Sequence, residues 1–198
     1  MLEDVKSIVS QKQIACLIFD LDGTLIDSMP THYVAYKKVL GKYGLDYSEE
    51  EFYALAGVPS FKIIAILNKK HGLSLDAHKI SEEKQQAYLE NIHKIKIIDE
   101  VLDVAKYYQG KLKMGIGTGS RGDIVKQVID KLGLGEYFDI VVTASDVMEH
   151  KPHPQTFLDV ASYFNIEPSK CLVFEDGEPG IQAAKAANMY CLDVRDYL

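Results

Sequence analysis

Two carboxylates directly follow a strongly apolar stretch near the start of the chain. Residues 15–19 contain no turn-forming residue and predict a strand that is buried on both faces. Asp20 and Asp22 come next, and the Gly-Thr pair after them favours a turn. Because ligands of an open parallel sheet bind at the carboxyl ends of its strands, this spacing predicts a metal site, or a nucleophile beside its acid/base partner.

Later predicted strands are also followed by residues that can bind anions or cations. These are Thr118, Gly119 and Ser120 after residues 112–117, Lys151 after residues 138–142, and Glu175 and Asp176 after residues 171–174. Taken singly, such residues are commonly turn residues, helix caps or solvated lysines. Together they bring several carboxylates to one edge of the sheet, where they would repel one another without a cation. A Mg²⁺ ion fits such a site, because it takes oxygen ligands from few carboxylates and also binds phosphate.

The elements that must position these residues change in character along the chain. Residues 30–93 show helical periodicity without a convincing strand, and from residue 98 onward helices and strands alternate. Such alternation predicts right-handed βαβ units and a parallel sheet. We therefore expect an α/β fold with a Rossmann-like three-layer core formed by residues 1–27 and 96–198, and a helical insertion at residues 28–95.

The composition limits the classes of function. The chain has 198 residues, 47% of them hydrophobic, which is enough to bury a sizeable core. Its net charge of −7 disfavours nucleic acid as a partner. The three cysteines lack the spacing of a disulfide framework or a zinc site, and the mixed-charge N-terminal stretch is not typical of a secretory signal. No apolar run reaches the roughly 18–20 residues that cross a bilayer, so we expect a cytoplasmic protein without membrane partners.

The groups at the strand ends resemble the four motifs of the haloacid dehalogenase-like hydrolase superfamily. Residues 20–24, Asp-Leu-Asp-Gly-Thr, match its first motif, Thr118 its second, Lys151 its third, and Glu175 with Asp176 its fourth. The resemblance covers essentially the whole chain, and the helical insertion matches the family's C1 cap domain. More narrowly, the chain is similar to the β-phosphoglucomutase-like and fructose-1-phosphate phosphatase-like members.

The resemblance implies a role for each motif residue. Asp20 would be the nucleophile that forms an aspartyl-phosphate, and Asp22 the general acid and later the base. Thr118 and Lys151 would complete the catalytic set. Mg²⁺ would be held by Asp20, by the backbone carbonyl of Asp22 and by Asp176, with Glu175 as a further ligand or a partner of one. The phosphoryl group would be bound by Leu21, Asp22, Thr118, Gly119 and Lys151.

By the same resemblance, substrate choice would lie in the inserted cap. His32 stands twelve residues after Asp20, where a β-phosphoglucomutase places a histidine that couples cap closure to the acid/base aspartate. The loop at residues 55–60 matches the subfamily in its leucine and in Gly57. However, it has Ser60 where the mutase carries an arginine for the second phosphate of its bisphosphate intermediate. This departure favours hydrolysis.

The sequence thus predicts a Mg²⁺-dependent phosphatase that acts on a small phosphorylated sugar or related metabolite, as a monomer or weak homodimer. A β-phosphoglucomutase-type phosphohexose mutase of the same fold is the alternative. A non-catalytic ligand-binding or interaction module is a third hypothesis from another class. A dehalogenase is disfavoured, because that branch of the family does not use the second aspartate or the Mg²⁺ site.

Overall fold

The structure is a computed structural model that describes residues 1–56 and 58–198. The described residues form seven strands: β1 (Cys16–Phe19), β2 (Ile26–Asp27), β3 (Lys96–Ile97), β4 (Lys113–Gly117), β5 (Ile140–Val142), β6 (Cys171–Glu175) and β7 (Tyr190–Asp193). They also form nine α-helices: α1 (Leu2–Lys12), α2 (Met29–Gly41), α3 (Glu49–Ala54), α4 (Ser60–His71), α5 (Ala77–Leu89), α6 (Asp99–Tyr108), α7 (Gly122–Leu132), α8 (Gln155–Tyr163) and α9 (Glu178–Ala186).

The strand that precedes the two aspartates is the middle strand of the sheet. Five parallel strands follow the order β5-β4-β1-β6-β7. Phe19, the last residue of β1, lies opposite Ile116 of β4 and Phe174 of β6. Because these three strands run in the same direction and in this register, the residues that follow them meet at one edge of the sheet.

Helices cover both faces of the sheet, which explains the unbroken apolar sequence of β1. Leu17 and Phe19 belong to a buried cluster that also contains residues of α1, α6 and α7. Cys16 and Ile18 point to the other face, into a cluster with residues of α8 and α9. The predicted α/β fold with a parallel sheet between two helical layers is therefore confirmed. None of the helices in the described part of the chain has both the length and the apolar character needed to cross a lipid bilayer.

Four helices, α2 to α5, lie in the helical insertion between β2 and β3. Helix α5 packs against both α2 and α4. Buried aromatic side chains fill the space between the helices, and the rings of Tyr36, Tyr47 and Phe52 contact one another. This small core is continuous with the apolar cluster on one face of the sheet.

A short antiparallel ribbon at the ends of the helical insertion was not predicted from the sequence. Ile26 of β2 pairs with Ile97 of β3, and Asp27 pairs with Lys96. Two residues per strand are too few for the two-residue periodicity of a strand to be visible in a sequence. The ribbon brings the entry and the exit of the helical insertion together, directly after the turn that carries Asp22.

Candidate active site

A buried lysine links the ends of β1 and β6. Lys151, from the loop between β5 and α8, donates from Nζ to Asp20 Oδ1 at 2.6 Å and to Glu175 Oε2 at 2.7 Å. All three side chains are buried. Burial alone would lower the pKa of Lys151, but the negative charges of Asp20 and Glu175 raise it above its usual value. Lys151 is therefore positively charged.

Asp176 completes a cluster of three carboxylates at this edge. Asp20, Glu175 and Asp176 each bring one oxygen to within 4.8 Å of the others. The hydroxyl of Thr24 donates to Asp176 Oδ1 at 2.9 Å. Gly23 is needed beside it for two reasons: its φ is +90°, and a Cβ there would overlap the carboxylate of Asp176.

The cluster carries more negative charge than Lys151 neutralises. Burial, and then the charge of Glu175, raise the pKa of Asp20 well above its usual value. The same two causes raise the pKa of Asp176 to about 7. A divalent cation among these oxygens would relieve the repulsion, and oxygen is the ligand atom that hard cations prefer. The donor atoms and the charge of the cluster thus fit a hard cation.

The carboxylate of Asp22 has a different set of partners. Its Oδ1 accepts from Ser28 Oγ at 2.6 Å and lies 3.1 Å from His32 Nε2. Its Oδ2 accepts from Ser120 Oγ at 2.5 Å. Burial alone would raise the pKa of Asp22, but His32 and the two hydroxyl groups lower it below its usual range. Asp22 is therefore ionised in this arrangement.

His32 is held from its other side by residues of α5. Lys84 Nζ lies 2.7 Å from His32 Nδ1, and the ring of Tyr88 stacks on the imidazole, with centroids 4.0 Å apart and planes 5° apart. Burial lowers the pKa of Lys84 to about 7, and burial together with Lys84 lowers the pKa of His32. All groups are paired if Lys84 donates to Nδ1 and the Nε2–H of a neutral His32 donates to Asp22.

The loop after β4 brings Thr118, Gly119 and Ser120 to the same edge of the sheet. Thr118 is buried, and its Oγ1 accepts from the amide of Ser120 at 3.1 Å. Its own amide donates to the carbonyl of Val142 at 2.9 Å, which fixes the loop against β5. Leu21 differs from the other predicted phosphate-binding residues, because its side chain lies in the apolar core. Only its backbone could contact a ligand.

These groups line one cavity of about 240 Å³ between the sheet edge and the helical insertion. Its lining includes every residue proposed from the sequence except Leu21: Asp20, Asp22, His32, Ser60, Thr118, Gly119, Lys151, Glu175 and Asp176. Ser60 is the first residue of α4 and lies beside the hydroxyl of Tyr36. Gly57, from the same predicted loop, lies outside the described residues.

Sequence reasoning missed three residues that support the site: Ser28, Lys84 and Tyr88. Lys84 lies on a helix with many charged residues and reads as a solvated side chain. A signal was available, because it stands four residues after the buried Ile80 and four before Tyr88, on one stripe of α5. Nothing local distinguishes Ser28 from an ordinary serine before a helix.

Known proteins resemble this chain over most of its length. The family model described as haloacid dehalogenase-like hydrolase matches residues 17–194. The chain belongs to this family. It is 41% identical over 188 residues to the fructose-1-phosphate phosphatase YqaB of Escherichia coli (strain K12), which covers 93% of this chain and 98% of the relative.

Two further comparisons point to the same part of the family. A phosphorylated carbohydrates phosphatase of Thermotoga maritima is 32% identical over 177 residues, covering 87% of this chain and 81% of the relative. The crystal structure of β-phosphoglucomutase from Clostridium difficile has a TM-score of 0.78 at 31% identity, covering 91% of this chain and 84% of that one. The family and the subfamily expected from the motifs are therefore confirmed.

Proposed function

We propose that this protein is a phosphoric monoester hydrolase that releases phosphate from a small phosphorylated sugar or a related metabolite. The observation that carries the proposal is the contrast between the two aspartates after β1. Asp20 lies beside Lys151 and the acidic cluster, whereas Asp22 is held by hydroxyl groups and His32. A nucleophile beside cations and a separate proton carrier are what phosphoryl transfer in two steps requires. Two relatives are named as phosphatases of phosphorylated sugars.

In the first step Asp20 attacks phosphorus. An Asp20 oxygen–phosphorus bond forms as the bond from phosphorus to the sugar oxygen breaks, and Asp22 gives its proton to the leaving alkoxide. In the second step Asp22 takes a proton from water, which attacks phosphorus and releases inorganic phosphate from Asp20. Thr118, the Gly119 amide and Lys151 would hold the phosphoryl oxygens, where charge is spread in the transition state.

Asp22 must hold a proton before the first step, although its partners favour the ionised form. Arrival of a phosphate dianion next to it would raise the pKa of Asp22, because nearby negative charges disfavour ionisation. His32 and Ser28 then position the carboxyl group for the leaving oxygen. Asp22 is thus protonated only when the site holds a substrate, which limits proton transfer to water in its absence.

We further propose that the resident cation is Mg²⁺, held by Asp20, the backbone carbonyl of Asp22 and Asp176, with Glu175 as a ligand or partner. When bound, it supplies positive charge that offsets the carboxylates and the phosphoryl oxygens. A chelator should stop phosphate release and lower the melting temperature. A melting temperature that responds to neither chelator nor added Mg²⁺ would contradict the metal assignment.

The helical insertion, residues 28–95, is proposed to act as a cap over a core of residues 1–27 and 96–198. The ribbon pairing Asp27 with Lys96 supports a boundary at these residues.

The volume of the cavity limits the size of the substrate. The cavity measures about 240 Å³, below the roughly 300–1,000 Å³ of sites for drug-sized ligands, which favours a monosaccharide-sized substrate. We also propose that the protein is located in the cytoplasm and is a monomer or a weak homodimer.

A mutase of the same fold is the second candidate, favoured by the resemblance to β-phosphoglucomutase. A bisphosphate intermediate needs a free cation for its second phosphate. The lysine and arginine side chains among the described lining residues are already paired: Lys151 with two carboxylates, Lys84 with His32, and Arg121 with Glu82 and Asp123. This pairing favours hydrolysis.

The test is a panel of phosphorylated metabolites assayed for phosphate release, with the variant Asp20→Asn as the control. We expect release from sugar phosphates by the unchanged protein and none by the variant. Conversion of a hexose 1-phosphate in the presence of its bisphosphate, without release of phosphate, would instead identify a mutase. Binding of phosphorylated ligands without any turnover would support the non-catalytic module.

A further inference from the structure

One polar side chain in the cavity has no role in the mechanism above. Gln85 follows Lys84 on α5, lines the cavity and is only 7% exposed. Its Oε1 is buried and accepts no hydrogen bond from any described residue. Because native proteins pair nearly all buried polar atoms, such an atom calls for a partner from outside the protein.

A second buried atom in the same state supports this interpretation. Nδ1 of His150 is also buried without a partner among the described residues. His150 precedes Lys151 in the loop after β5 and lines the same cavity. In the described part of the chain, these two are the buried side-chain atoms that lack a partner, and both belong to residues that line the cavity where the substrate would lie. Because both unpaired atoms belong to residues of the same cavity, a common ligand explains them better than two unrelated packing defects.

The chemistry of the carboxamide narrows the kind of partner. An amide side chain offers an acceptor oxygen and a donor NH₂ group, so its full pairing needs a ligand group that can both donate and accept. A hydroxyl does both, whereas a carboxylate or a second phosphate only accepts. A carboxylate or a second phosphate of the ligand would also have no free cation to bind, because the lysine and arginine side chains among the described lining residues are already paired. The cavity is therefore suited to hydroxyl groups beyond the phosphoryl site.

We propose that Gln85 binds a hydroxyl group of the substrate's leaving group and selects polyhydroxylated phosphates over phosphorylated carboxylic acids. This inference rests on the proposed phosphatase function and assigns a specificity-determining residue to the same site. The physical reason for selection is that a substrate without the hydroxyl leaves the buried amide unpaired.

The test replaces Gln85 by methionine, which keeps the length and removes the hydrogen-bonding groups. The control is Gln86→Met, the same substitution at the next, exposed residue of α5. The value of kcat/KM is measured with fructose 1-phosphate, with phosphoglycolate and with p-nitrophenyl phosphate. For Gln85→Met we expect a loss on fructose 1-phosphate that exceeds the loss on the other two by about 10-fold or more.

Equal losses on all three substrates, or no loss on fructose 1-phosphate, would overturn the proposal. A similar selective loss in Gln86→Met would also overturn the proposal.

A binding measurement separates this inference from the proposed function. In the Asp20→Asn background, calorimetry compares fructose 1-phosphate with inorganic phosphate, with and without Gln85→Met.

If the unchanged protein releases no phosphate from any probe, the proposed function fails, and binding alone decides the inference. Gln85 retains its assignment if Asp20→Asn binds fructose 1-phosphate more tightly than inorganic phosphate and Gln85→Met removes that difference. It loses the assignment if the difference persists or never existed.

Discussion

Two lysines are buried in the same cavity, yet their surroundings shift their charge in opposite directions. Lys151, from the sheet edge, lies between the carboxylates of Asp20 and Glu175, which raise its pKa. Lys84, from the helical insertion, lies against His32 and above the rings of Tyr36 and Tyr88. Burial there lowers its pKa to about 7. The neighbouring charged groups, more than the degree of burial, therefore decide which lysine stays charged.

The difference in charge suits the two lysines to different roles. A permanent cation at Lys151 holds the carboxylates together and can face a phosphoryl group, whose charge grows in the transition state. Lys84 pairs with no carboxylate in the described part of the chain and is linked to Asp22 through His32. We therefore treat Lys151 as a catalytic residue and Lys84 as a positioning residue, and the following predictions test that division.

The largest effect is expected for Lys151→Met. The substitution leaves Asp20 and Glu175 as buried carboxylates without their shared cation, so we expect a loss of about 3–5 kcal/mol in the free energy of unfolding. Phosphate release should fall by at least about 10²-fold, as when one transition-state donor is removed. Urea unfolding and initial rates measure the two effects.

The same substitution at Lys84 provides the matched control for that prediction. If Lys151→Met and Lys84→Met destabilise the protein equally, the two lysines do not differ as described. A Lys151→Met protein with unchanged stability and rate would contradict the assignment of Lys151 altogether.

A smaller effect is expected for Lys84→Met. Near pH 7, removing a poorly solvated amine should change the free energy of unfolding by no more than about 1 kcal/mol, because little charge is left unpaired. His32 loses the partner that fixes its tautomer, so kcat should fall about 10-fold through misplacement of Asp22. Steady-state kinetics should show this fall in kcat with little change in KM. Lys79→Met, at an exposed position of α5, should leave both values unchanged.

Burial of Lys84 also predicts a pH dependence of stability. The pKa of Lys84 is about 7 in the folded protein and about 10.4 in an unfolded chain. Between these values the unfolded chain binds a proton that folded Lys84 does not, so stability rises with pH. The free energy of unfolding should therefore rise in the unchanged protein relative to Lys84→Met, by up to about 1.4 kcal/mol per pH unit. Parallel stability curves from about pH 7 to about pH 9 would contradict the lowered pKa.

The two lysines also differ in how well the sequence predicts them. Lys151 follows a predicted strand, and in a parallel sheet such residues gather at the edge where Asp20 and Glu175 lie. Lys84 depends on how α5 packs against α2, which helical periodicity alone does not specify. The ribbon of β2 and β3 was missed for a related reason, since its strands are too short to carry a pattern.

Motif spacing therefore predicts the sheet edge better than the helical insertion. Asp20, Thr118 and Asp176 line the cavity at the predicted edge of the sheet because each stands at the end of its strand. The contacts that α5 brings to the site, such as that of Lys84 with His32, join segments distant in sequence, where tertiary packing decides. Substrate selection depends on those contacts, so the sequence predicts the chemistry more completely than the sugar.

The proposed mechanism requires that Asp20 becomes phosphorylated during turnover. The direct measurement is acid quenching of the protein during reaction with a sugar phosphate substrate, followed by peptide mapping by mass spectrometry. We predict a phosphoryl group on the peptide that contains Asp20, at that residue, and no label in Asp20→Asn. Release of phosphate by a protein whose Asp20 never carries the group would contradict the covalent mechanism.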